Sequence, residues 1–315
     1  MIRIYQKGQN FVTKNATIKS IHDLSSLVWV DLQNPDVEEI EEVEKYFGVN
    51  IPSRLQQEEI ESSSRYIEMD DLIIAHSKFL QSIDEQHYEN VHVSFLLKDE
   101  LLITYREGLL KSFAECVKKI KSNHKPFVNG KKIFLAIFEA RIDLDADMIE
   151  NISQQISVIG KKLTEDNGPR ADLLKRITAF QETTMQLREN IIDKERVVSS
   201  MLKSSEFADD EKERLRILIK DIGSLIEHTS FLFDRLEYLQ NTFLGLVNID
   251  QNKIIKIFTL VSVIFLPPTL IASIYGMNFR SMPELSWEIG YPTALICMLI
   301  SSILTLFIFK KRKWL

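Results

Sequence analysis

The sequence predicts an α+β membrane protein, with an N-terminal α/β/α domain over residues 1–205, a long stalk helix over 206–256 and two C-terminal transmembrane helices. Three observations predict it. Short alternating apolar runs fill the first hundred or so residues, and helical spacing takes over in the middle of the chain. Two uncharged stretches then follow, 257–279 and 289–309. Each reaches the roughly 20 residues that a helix needs to cross a hydrocarbon core about 30 Å thick.

The apolar runs at 10–13, 27–32, 72–76 (extending to residue 80), 92–97 and 101–105 alternate or are rich in β-branched and aromatic residues, and are read as strands. After the second run, Asn34 is predicted to cap a short helix with Pro35 at its first position. Val37, Ile40, Val43 and Phe47 give that helix one apolar face, and Gly48 stops it. Strands interleaved with helices predict a sheet with helices on its faces. From residue 109 onward, apolar residues three and four apart predict helices over 109–122, 131–163, 170–202 and from 209 on, separated by breaker residues at 164–169 and a turn at 203–209. Only Gly223 and Gly245 interrupt the stretch 211–266, at about 1 kcal/mol each. A single helix of about 40 Å or more is therefore expected to run into the first span.

The net charge of -6 lies mostly in the first 250 residues; it argues against a nucleic-acid surface and suits the handling of cations. The two cysteines, Cys116 and Cys297, show no CxxC spacing, and the six histidines no HxxxH, so no zinc or copper site is expected. No nucleophile triad and no Gly-rich phosphate loop can be assembled, so neither an enzyme nor a catalytic cofactor is expected. The N-terminus lacks the features of a signal peptide. Lys253 and Lys256 precede the first span, and the tail 310–315 carries Lys310, Lys311, Arg312 and Lys313. The excess of cations places both ends in the cytosol and the loop 280–288 outside, in a multi-pass protein of the cell inner membrane.

Along the first span Asn252, Ile255, Thr259, Ser262, Leu266, Thr269 and Ser273 recur at steps of three and four. A face that mixes hydroxyls and an amide with bulky apolar groups has no use against lipid. It either packs helices closely or lines a pore in which Ile255 and Leu266 are apolar constrictions. Two spans cannot enclose a pore, so the second reading requires a homo-oligomer. Pro267-Pro268 removes two amide donors in mid-span; it is a point of bending or only the ordinary frequency of Pro in membrane helices. Asn278, taken alone, reads as a helix C-cap.

Tyr275-Gly276-Met277-Asn278 at the outer end of the first of two C-terminal spans, followed by Met282-Pro283-Glu284-Leu285 and a basic tail, resembles the CorA family of magnesium channels. The resemblance continues through Asn252-Lys253-Ile254-Ile255-Lys256, the Pro-Pro pair and Gly290-Tyr291-Pro292, and more loosely through the 28–32 run and the acidic stretch 58–71. It implies a funnel-shaped homopentamer in membrane lipid, with long stalk helices around a narrow pore and with Mg²⁺ as transported and regulatory ion, Co²⁺ and Ni²⁺ as secondary cargo. Gly276, Met277 and Asn278 become the expected selectivity filter: amide oxygens can hold hydrated Mg²⁺ through its waters without the tight binding of carboxylates. Glu284 and Glu288 would concentrate cations at the mouth. A regulatory metal is expected at Asp84 and Glu85 facing Asp221 of the next subunit, although the aligned stalk position is Ile217; Glu58, Glu59, Glu61, Glu68, Asp70 and Asp71 are a competing acidic set. Two rival readings remain: a zinc transporter on the same scaffold, which the retained Met277 disfavours, and a membrane-anchored scaffold or sensor that moves no ions.

Overall fold

The computed structural model describes residues 1–9, 12–14, 26–52, 65–83, 88–164, 170–278, 280 and 282–312. The chain divides into two compact units, Met1–Gln240 and Asn241–Leu315.

In the first unit the described residues form a seven-stranded sheet of order β2-β1-β3-β7-β6-β5-β4. Its strands are β1 (Ile2–Gln6), β2 (Thr13–Lys14), β3 (Leu27–Gln33), β4 (Tyr66–Met69), β5 (Leu72–Ser82), β6 (Tyr88–Lys98) and β7 (Leu101–Arg106). Neighbours are antiparallel except β3 and β7, which pair in parallel with Trp29 opposite Leu102. Strand β3 is buried along its whole length, as a central strand covered on both faces must be. Its alternate residues serve two cores. Val30 and Leu32 join Ile2, Ile4, Ile74, Leu96 and Ile103 beneath Val43 of helix α1 (Val37–Phe47). On the other face Trp29, Phe79 and Phe95 meet Phe113 of α2 (Lys111–Ser122) and Phe134 and Phe138 of α3 (Gly130–Thr164), with ring centroids 4.3 to 6.3 Å apart. Helix α4 (Arg170–Lys203) packs on β5 and α3, so the layers are α/β/α.

The start of α1 differs from expectation. Asp36, not Asn34, is the N-cap: its carboxylate accepts from the Glu39 N–H while the Glu39 side chain accepts from the Asp36 N–H. Asn34 stands in the left-handed region (φ 42°), and its side-chain oxygen accepts from the Gly108 N–H, tying the end of β3 to the end of β7. Strands β1 and β4 lie where no strand was expected, and β5 and β6 are longer than their apolar runs. The first expected strand, 10–13, falls partly outside the described residues.

Helix α5 (Asp209–Tyr275) is continuous through Gly223, Gly245 and the Pro267-Pro268 pair. Within the first unit Leu215, Leu218, Ile222, Leu225, Leu232, Leu236 and Leu239 are buried at steps of three, four and seven. In the second unit α5 leads through the Gly276 turn and a 3₁₀ turn (Pro283–Ser286) to α6 (Gly290–Lys311).

Candidate functional site

Helices α5 and α6 each contain a stretch long and apolar enough to cross a membrane, in which almost no residue is buried. In water such surfaces would be untenable; in lipid they are the expected exterior. On α5 the residues with reduced exposure are Leu260, Val263, Ile264, Pro267, Pro268 and Ile271, a single stripe. On α6 the stripe is Gly290, Ala294, Met298, Ser301, Ser302, Thr305 and Phe309, rich in the small residues that let membrane helices approach closely.

All seven polar-stripe residues, Asn252, Ile255, Thr259, Ser262, Leu266, Thr269 and Ser273, are exposed. At 100° per residue they lie about 150° around the helix from the covered stripe. The face is therefore not spent on packing within the hairpin. Thr269 returns its hydroxyl to the Phe265 carbonyl at 2.7 Å. Pro267 and Pro268 lack the N–H groups that the carbonyls of Val263 and Ile264 would otherwise receive. Two acceptors are thus freed in mid-helix without a break in the helix.

The helix closes where the Gly276 N–H reaches the Ala272 carbonyl (2.9 Å) and the Met277 N–H the Ile274 carbonyl (3.2 Å). Gly276 does not use a positive φ. Its lack of a side chain matters instead because a Cβ would stand 3.1 Å from the Ala272 oxygen. Met277 and Asn278 are presented beyond the helix end, both exposed. Glu284 and Glu288 are exposed in the loop, where a Cβ on Gly290 would clash with the Glu284 carbonyl, so the loop closes directly onto the start of α6.

In the first unit Asp221 is exposed on α5, as is Ile217 one turn before it. Asp84, Glu85, Glu58, Glu59 and Glu61 lie outside the described residues. Of the remaining acids, Glu68 accepts from Tyr66 and Ser204, and Asp71 lies 3.6 Å from the Lys98 ammonium, so both have structural partners; Asp70 is exposed. Among the described residues no three His, Cys, Asp or Glu side chains are grouped to hold a metal.

Two buried charge networks escaped the sequence reading. Asp31, fully buried, accepts from Arg106 (3.0 and 2.8 Å) and Thr104 (2.9 Å), while Thr104 accepts from the Trp29 indole. The second joins Arg141, Asp145 and Lys194. Burial pushes the Lys194 ammonium down to about 8, against the pull of Asp145. Nearby, burial with the repulsion of Arg65 pulls His76 down to about 4, and the ring bonds Ser94 at 2.9 Å. A charged residue inside an apolar run, as Asp31 is in LVWVDL, was the available signal: it demands a partner.

A sequence model of the family described as CorA-like Mg²⁺ transporter protein matches residues 25–311. The chain belongs to the CorA family. It is 38% identical over 321 residues to the magnesium transport protein CorA of Wolinella succinogenes and 34% over 317 residues to that of Escherichia coli K12, each covering 100% of both chains. The complete structure of the CorA magnesium transporter from Methanocaldococcus jannaschii superposes with a TM-score of 0.81 at 21% identity, covering 100% of this chain and 99% of that one. The CorA fold thus extends over the whole chain, including both candidate spans.

Proposed function

We propose that this CorA-family chain is a magnesium channel that admits hydrated Mg²⁺ down its electrochemical gradient. The observation that carries the reading is the exposed Gly276-Met277-Asn278 turn at the end of a span whose polar stripe has no partner within its own hairpin. A stripe of hydroxyls and an amide that its own hairpin leaves exposed, and that lipid would not satisfy, is suited to a central axis shared by several copies. Exposed Ile217, Phe231 and Tyr238 recur at multiples of seven on α5 and offer further contact between copies. The assembly is a homopentamer of the inner membrane, with both termini cytosolic and the 280–288 loop outside. A ring of Asn278 amides holds the waters of the ion, Ile255 and Leu266 form apolar constrictions, and Glu284 and Glu288 raise the cation concentration at the mouth. Co²⁺ and Ni²⁺ are secondary cargo. An inside-negative potential contributes about 4.6 kcal/mol per 100 mV to a divalent ion, so no nucleotide is needed. Cytosolic Mg²⁺ bound between Asp84, Glu85 and the next subunit's Asp221 closes the pore and limits uptake.

Purified protein in liposomes under an inside-negative potential is expected to take up Mg²⁺, with hexaammine cobalt, a mimic that cannot shed its ligands, blocking entry. Asn278→Ala is expected to abolish uptake while the oligomer persists on size exclusion. Normal flux in that variant would sink the amide ring, and entry of Zn²⁺ alone would replace the magnesium reading with a zinc one. Neutralising Asp84 and Asp221 together should weaken the protection from proteolysis that added Mg²⁺ gives; unchanged protection would move the sensor elsewhere.

A further inference from the structure

A cavity of about 300 Å³ opens between the ends of β5 and β6, the start of α2 and the middle of α3, at the lower end of the size range of small-molecule sites. Its walls are mixed: Leu80, Leu109, Leu144 and Met148 form an apolar side, Lys111 and Asp147 are among the polar residues, and Arg141 stands in them with 4% of its surface exposed. The guanidinium is held on three sides. Nε and Nη2 donate to Asp145, Nη2 also to the Met148 sulfur, and Nη1 to the Leu80 carbonyl at 2.8 Å. Nη1 carries two hydrogens, and among the described residues Leu80 supplies one acceptor for them.

The charge behind the cavity wall is also unbalanced. Asp145, fully buried, serves two cations: Arg141 on one oxygen and the fully buried Lys194, 3.5 Å away, on the other. The next carboxylate, Asp193, is engaged by Arg65, Ser77 and the Lys78 N–H. Among the described residues Lys194 otherwise donates to the carbonyls of Lys78 and Asn190. A buried triad with one positive charge in excess is costly unless an anion approaches it, and Arg141 is its only member that lines the cavity. Helix α2 begins in the same wall with no side chain capping its first turn, which adds N–H donors of the same polarity. Lys111 and Asp147, which also line the cavity, offset one another in charge, so the excess there is that of Arg141.

We propose that this cavity binds a small aliphatic monocarboxylate, its head on Arg141 Nη1 and its chain against Leu80, Leu109, Leu144 and Met148.

The test is calorimetric titration of the full chain in lipid nanodiscs, with empty nanodiscs subtracted, using hexanoate, hexanamide and inorganic phosphate as probes. Hexanoate should bind saturably, one per chain, and the two other probes at least about tenfold more weakly, as loss of a charge-assisted hydrogen bond or of the apolar contact predicts. Leu144→Trp, which fills the cavity without touching the triad, should remove hexanoate binding. Arg141→Met should remove the preference for hexanoate over hexanamide. Absence of saturable hexanoate binding, or unchanged binding in Leu144→Trp, overturns the site. Equal binding of hexanamide overturns the role of charge, and equal binding of phosphate overturns the role of the chain.

Discussion

The two units solve opposite problems with the same alphabet. In Met1–Gln240 charged groups go inside against partners of opposite charge: Asp31 with Arg106, Asp193 with Arg65, and Asp145 shared by Arg141 and Lys194. In the described part of Asn241–Leu315 the buried apolar residues are only Phe243 and Ala294, and Leu, Ile and Phe side chains cover the outside. One unit is folded by the expulsion of water, the other by a solvent that accepts its apolar face and refuses its polar one. A polar group therefore means different things in the two. Within the first unit it is a structural element with partners in the same chain; along the span the stripe residues are exposed on their helix.

That contrast can be broken by substitution. Asp31→Ala strands Arg106 in the core and is expected to lower stability by about 3–5 kcal/mol, read as a shifted denaturation midpoint of the full chain. A loss below about 1 kcal/mol would mean that the network is not structural. The next effect is one of pH. His76 is held at about 4 against 6.5 when unfolded, so the unfolded chain binds the extra proton as pH falls below 6.5, and stability declines down to about pH 4 and not beyond. The decline attributable to this group is about 3 kcal/mol, and His76→Gln should flatten that limb; an unchanged slope would assign it to other groups. Asp36→Ala removes the cap of α1 and should cost about 1 kcal/mol. The smallest change is expected in the span. Ser262→Ala should leave the denaturation midpoint within about 0.5 kcal/mol of the parent, as surface substitutions do, while altering Mg²⁺ flux in liposomes. A large loss of stability there would show that the stripe packs helices rather than faces a pore.

The same division decides what the sequence made legible. Helices α2 to α5 and strands β3 and β7 carry their own periodicity and appear close to their expected limits, while β5 and β6 grow beyond their apolar runs by pairing with one another. Strand β1 has only five residues and becomes a strand by pairing with β3; β4, with Glu68 in it, was read as part of an acidic run because its pairing with β5 is a tertiary fact. Asn34 looked like a cap because its neighbours allowed it, but Gly108, distant in sequence, had claimed its side chain. In the same way Arg141 and Asp145 are visible as an i, i+4 pair, whereas Lys194 joins them only through the packing of α4. The candidate filter was legible because its residues are contiguous. The acids proposed to sense metal are far apart in sequence, and any site they form depends on two copies.

The single parallel pair of the sheet also sets a schedule for synthesis. Trp29 of β3 meets Thr104 of β7 across 75 residues of sequence, so one edge of the most buried strand must wait until β7 has been made. At about 5–20 residues per second the delay on the ribosome is roughly 4 to 15 s, during which the apolar run of β3 has only β1 beside it. A nascent chain shorter than about 110 residues is therefore the stage most in need of a chaperone, before any membrane segment has been translated.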